Sequence, residues 1–204
     1  MKKFSLVALS VFFIAIGVVT EATGKEKAVF KINTEKSTVN WTGKKVTGQH
    51  TGTLKLDNGE VNVDGEKISM ANVKMDMNSI VCLDLTNPEI NKKLVGHFKS
   101  DDFFSVEKFP HSEFVATGFK AGSGKEDYMV TGKLTIKGIT HEISFPATVT
   151  IVNGQMTANG TAKIDRTKYD IKYRSGSFFK GLGDNMIYDD FEIEFNLVAT
   201  AEAI

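Results

Sequence analysis

The residues most able to do chemistry here are four histidines, one cysteine and a pair of aspartates. His50, His97, His111 and His141 are scattered, and none sits at the close helical or strand spacing that marks a zinc site in a sequence. Cys82 has no cysteine partner, and no basic or histidine neighbour in sequence would activate it, so it reads as a small buried hydrophobe. Asp101-Asp102 are adjacent, and adjacent residues on a helix point apart, so they read as a helix cap and a solvated face rather than as an acid–base pair. Neither a G-x-S-x-G elbow nor a P-loop occurs. No catalytic centre, metal site or cofactor is expected.

What remains is apolar. Beyond residue 24 the chain keeps 12 phenylalanines, Trp41 and several methionines. Such a stock either fills a core or lines a cavity for a greasy ligand. The stretch Gly96 to Pro110 concentrates this, with Phe98, Phe103, Phe104 and Phe109 set among charged residues.

The elements that would position these side chains are mostly strands. From Asp190 to Leu197 every odd position is apolar and every even one polar, the mark of an antiparallel strand with one dry face, on which Phe195 lies. Leu134 and Ile136 alternate in the same way, as do Ile143 to Ile151. Between 66 and 78 the apolar phase slips, which predicts a bulge near Ala71-Asn72. Asn153-Gly154 is a strong hairpin signal, and Asp57-Asn58-Gly59, Asp64-Gly65 and Lys137-Gly138 are further turn candidates.

The pattern gives eight strands: 28–33 together with 37–46, then 49–57, 66–78, 112–120, 126–137, 140–152, 155–165 and 186–199. Short turns force an up-and-down meander, and so many strands must close or stack to hide their edges. An all-β, closed antiparallel barrel is the expected architecture; a two-sheet sandwich satisfies the same alternation. One segment departs from it. Asn87-Pro88 is an N-cap and first-turn pair, and Ile90, Leu94 and Phe98 recur at helical spacing, so a helical crossover runs from 88 to about 99–104.

The chain opens Met1-Lys2-Lys3, followed by a 16-residue apolar run from Phe4 to Val19 and small residues at Ala22 and Gly24. This describes a signal peptide over residues 1–24, with one domain over 25–204. The run is short of the roughly 20 residues that cross a bilayer, although a retained anchor is the alternative. A periplasmic or secreted location follows. Removing residues 1–24 takes two of 25 basic and one of 25 acidic residues, leaving a formal charge of −1. That balance lacks the basic field nucleic acid requires.

In register, several segments resemble the YceI-like family of polyisoprenoid-binding periplasmic proteins. They are Ser37-Thr38-Val39-Asn40-Trp41 with Lys44, then His50-Thr51-Gly52, and His97-Phe98-Lys99-Ser100 leading into Asp101-Asp102-Phe103-Phe104 and Phe109-Pro110. Val130 to Thr140 and Ile164-Asp165-Arg166 with Tyr169 and Ile171 complete the set, with Asp170 where glycine is usual. The resemblance implies a lipocalin-like eight-stranded barrel around an isoprenoid chain or similar long-chain amphiphile. The side chains expected against that ligand are Trp41, Phe98, Phe103, Phe104, Phe109, Phe114, Leu134, Ile136, Phe178 and Phe179. Phe178 and Phe179 lie in a glycine-bearing loop that reads as a lid, or as a loop packing its own aromatics. Arg166, with Lys172 and Arg174, is the candidate for a polar or anionic head group. Two rivals stay open: a filled, stress-protective barrel without ligand, and an enzyme using a pocket histidine. The sequence also leaves a homodimer open.

Overall fold

The computed structural model describes residues 27–124 and 127–202. The expected signal peptide lies outside the described residues. Period-two alternation gives nine strands: β1 (Lys27–Ile32), β2 (Thr38–Lys45), β3 (Gly48–Asp64), β4 (Lys67–Cys82), β5 (His111–Ala121), β6 (Asp127–Ile136), β7 (Ile139–Val152), β8 (Gln155–Asp165) and β9 (Ile187–Ala201). Each pairs antiparallel with its neighbours, and β3 pairs with β4 to close the sheet. β1 and β2 share one place in the wall. Both run antiparallel to β3 and β9, β1 against Glu60–Asp64 and β2 against Gly48–Thr53, so the barrel has eight positions.

Two hairpins are set by the residues that tolerate positive φ. Asn153-Gly154 (φ 50° and 75°) and Lys137-Gly138 (φ 53° and 73°) form tight two-residue turns as the sequence predicts. Asp57-Asn58-Gly59 does not turn the chain. β3 runs through it, and Asp57 is one extra residue between the Leu56–Met75 and Asn58–Lys74 pairs. Because β4 pairs on both sides of it, a bulge costs less than leaving that ladder. The bulge expected at Ala71-Asn72 sits two residues earlier, at Ser69, between the Asn62–Met70 and Val63–Ile68 pairs.

The inward positions are apolar, whereas the outward ones, such as Lys133, Thr135, Glu192 and Glu194, are polar. That is the reverse of a lipid-facing barrel. Large inward rings fit because glycine stands beside them. A Cβ on Gly160 would lie 2.6 Å from the Phe195 ring, its cross-strand partner.

Between β4 and β5 the chain forms α1 (Pro88–Lys99), the one α-helix among the described residues. The Asn87 side chain accepts from the N–H groups of Glu89 and Ile90 at 3.0 and 3.1 Å, a cap worth about 1 kcal/mol. Ser100 ends the helix, and residues 101–109 continue as hydrogen-bonded turns to Pro110. In a meander, the end of β4, the start of β5, the β6–β7 turn and the start of β9 all lie at one end of the barrel. α1 and its following turns cap that end.

Candidate ligand-binding cavity

The barrel is not filled. Ile193, Phe195 and Leu197 point inward and pack against the core yet are only half-buried, because part of each faces hollow space. The first chamber, about 150 Å³, lies under α1; the second, about 130 Å³, lies deeper. Met75, Leu134, Ile164 and Ile193 line both, so the chambers follow one another along the barrel. From Ile187 at the rim to Leu197 is about 33 Å of strand, or roughly 25 Å along an axis tilted by ~40°. The hollow is long, narrow and apolar.

Most of the residues expected against a ligand meet there. Trp41, Phe98, Phe103, Phe104, Leu134 and Ile136 line the first chamber, and Phe114 the second. Trp41 and Phe98 meet edge to face with centroids 5.3 Å apart, and Phe98 and Phe103 are also 5.3 Å apart. The Gly96–Pro110 stretch is therefore a crossover whose rings form the roof of a cavity. Phe109 is the exception. It packs over Gly138, whose Cβ position is 2.7 Å from its ring, and seals the β6–β7 turn instead.

Phe178 and Phe179 do not line either chamber. Their N–H groups both bond the Ser175 carbonyl, and this turn leaves the rings 51% and 49% exposed on the outer surface. Lys172 stands over the Phe178 ring at 5.1 Å. Arg166 does border the first chamber, but its guanidinium is not free for a head group. It donates to the carbonyls of Tyr188, Ile171 and Ile187 at 3.1, 2.8 and 3.1 Å and lies 3.6 Å from Asp189. It fastens the 170–188 connection to the barrel end. Lys172 pairs with Asp170, and Arg174 stacks on Tyr173.

The polar groups at the rim come from elsewhere. Between the Gly43–Phe191 and Lys45–Ile187 pairs, one residue of β2 faces three of β9. The wall bulges there, and Lys44, Lys45, Tyr188 and Asp190 edge the first chamber. Lys44 also pairs with Glu192 at 3.1 Å.

His50 reaches the same rim beside a short polar network. Its Nδ1 lies 2.8 Å from Asp84 Oδ2, while Cys82 Sγ and the Thr51 N–H donate to Asp84 Oδ1 at 3.2 and 2.8 Å. Burial acts to raise the Asp84 pKa, but the donors Thr51, His50 and Cys82 together outweigh it and hold the carboxyl down at about 2. Burial and the neighbouring Asp84 push the Cys82 thiol up. Spacing along the chain could not reveal this group, because β3–β4 pairing is what brings His50 to Asp84.

With the barrel, its capping helix and the axial hollow established, comparison with known proteins is decisive. The profile of the YceI-like domain matches residues 30–199. The chain belongs to the YceI-like family. A UPF0312 protein of Shewanella denitrificans is 33% identical over 89 residues, which is 44% of each chain. Another from Photorhabdus laumondii is 30% identical over 109 residues, 53% of this chain and 50% of that one. These matches thus span about half the length of the relatives.

Among solved structures, Burkholderia cenocepacia BcnA superposes on this YceI-like chain with a TM-score of 0.67 and 28% identity, over 83% of this chain and 99% of that one. A polyisoprenoid binding domain from Saccharophagus degradans gives a TM-score of 0.61 over 85% and 98%, and at 16% identity it speaks to the fold alone. A Campylobacter jejuni YCEI protein gives 0.52 at 17% identity over the whole of both chains.

Proposed function

We propose that this YceI-like protein holds a linear amphipathic isoprenoid lipid, with the tail along the barrel axis and the head at the Lys44–Tyr188 rim. The observation that carries the reading is the pair of apolar chambers in file beneath α1. A ring system would not use the length of such a hollow, whereas a chain would. Each CH₂-sized unit taken from water contributes about 0.8 kcal/mol before ordering and association costs. Met75, flexible and polarizable, stands where the chambers meet and can move to let a chain pass. The isoprenoid class draws support from the family and from the Saccharophagus domain with the same fold.

Carriage or storage in the periplasm, or outside the cell after loss of residues 1–24, completes the proposal. Trp41 provides the test, because it is the chain's one tryptophan and lines the first chamber. Titration with a prenyl alcohol or prenyl phosphate is expected to change its emission saturably near one equivalent. An emission insensitive to both, with equilibrium dialysis also showing no retention, contradicts the proposal.

A further inference from the structure

We propose that His50, Cys82 and Asp84 form a binding site for one divalent transition-metal ion of zinc-like softness at the rim of the barrel. Their candidate ligand atoms all lie within 4.8 Å of one another. Tetrahedral zinc, with bonds of about 2.0–2.3 Å, needs ligand atoms about 3.3–3.6 Å apart. The His50 contact to Asp84 Oδ2 at 2.8 Å and the Cys82 contact to Asp84 Oδ1 at 3.2 Å must spread slightly, and any pair near the 4.8 Å limit must draw together by about 1 Å, to admit the ion.

The donor set selects the metal. A thiolate, an imidazole and a carboxylate together suit Zn²⁺ and Co²⁺, whereas Mg²⁺ and Ca²⁺ prefer oxygen alone. Three protein ligands leave a fourth position for water or another donor. On binding, the ion takes the place of the Cys82 thiol proton, which is released to solvent, and of the proton His50 Nδ1 shares with Asp84, the neutral ring then carrying its proton on Nε2.

The ligands are held in place before any metal arrives. His50 and Cys82 lie on neighbouring strands, with Gly52 opposite Cys82 and the Leu83 N–H bonded to the Thr51 carbonyl. The Thr51 N–H orients Asp84 from behind, leaving Oδ2 toward His50. Asn91 of α1 donates to the Cys82 and Leu85 carbonyls at 2.8 and 3.0 Å, fixing the backbone between the thiol and the carboxylate.

A nucleophilic role fits this arrangement poorly. Asp84 stands between thiol and imidazole, so His50 is not placed to take the Cys82 proton. The proposal does not depend on any lipid being bound.

The test uses reduced, chelator-treated full-length domain titrated with Co²⁺, read by absorption, followed by Zn²⁺ competition against a chromophoric chelator. One equivalent of cobalt is expected to give thiolate-to-metal charge transfer in the near ultraviolet and strong tetrahedral visible bands. Cys82→Ser should lose the charge-transfer band, and His50→Ala and Asp84→Asn should each weaken Zn²⁺ binding at least tenfold. His111→Ala should leave both readouts unchanged. Absence of the charge-transfer band in the unsubstituted protein overturns the proposal whatever the variants do. Loss of the band in His111→Ala, or equal Zn²⁺ affinity with and without His50, overturns it as well.

Discussion

Trp41 and Gly52 face each other across β2 and β3 so closely that a Cβ on Gly52 would lie 2.6 Å from the indole Cζ2 and would also strike the Val81 carbonyl oxygen. The indole Nε1–H donates to that same carbonyl at 3.1 Å. Glycine is thus what allows the indole to lie against the wall and roof the first chamber with Phe98. Gly52→Ala should destabilise the protein by about 1–3 kcal/mol, as overpacking does, and displace the indole. Chemical denaturation followed by Trp41 emission checks this; an unchanged midpoint and an unchanged native spectrum would show that the contact does not constrain the ring.

Arg166 is buried, and it gathers three backbone carbonyls, from Ile171 and from Ile187 and Tyr188 at the start of β9. Arg166→Met should cost about 3–5 kcal/mol, because it leaves the carbonyl acceptors without their donor and Asp189 without its neighbouring cation. Arg166→Lys should recover little, since an ammonium cannot span three separated carbonyls. Urea midpoints of the two variants measure this, and full rescue by lysine would contradict the geometry.

Tyr169 is 1% exposed, and its hydroxyl has no hydrogen-bond partner among the described residues. Burial first, and the charge of Asp165 second, push its pKa up to about 12. The unfolded phenol ionises near 10. The associated stability is therefore whole below pH 10 and falls, by about 1.4 kcal/mol per pH unit, as pH rises toward 12. Tyr169→Phe should keep or improve stability at pH 7 and flatten the alkaline decline; an equally steep decline would show that Tyr169 ionises normally.

Phe104 and Phe30 separate cavity wall from core. Phe104 is half-buried on the first chamber, whereas Phe30 is buried outside both chambers. Phe30→Ala should cost about 3–5 kcal/mol with little change in prenyl-lipid affinity. Phe104→Ala should cost less stability and more affinity. Equal ratios of affinity loss to stability loss would make the Gly96–Pro110 stretch plain scaffold.

Local signals in the sequence carried the fold far. Asn87-Pro88 and the two positive-φ hairpins each depend on a few adjacent residues, and the structure uses all three as read. Asp57-Asn58-Gly59 carries the same kind of signal, but pairing with β4 on both sides overrides it. The cavity roof was legible because alternation and helical spacing fix which rings point inward. Phe195, read as a dry-face core residue, lines the second chamber, since alternation tells inside from outside but not filled from hollow. Phe178 and Phe179 were misplaced because an irregular loop has no period to orient its side chains. His50, Cys82 and Asp84 converge only through strand register, which no spacing along the chain encodes.

Native mass spectrometry of the freshly purified protein, followed by extraction and identification of any bound lipid, tests the central claim most directly. The account predicts a start within a few residues of Lys25 and a single long-chain prenyl species bound in one-to-one ratio. A ligand-free mass alone, from protein that also fails to take up added prenyl lipid, would contradict it.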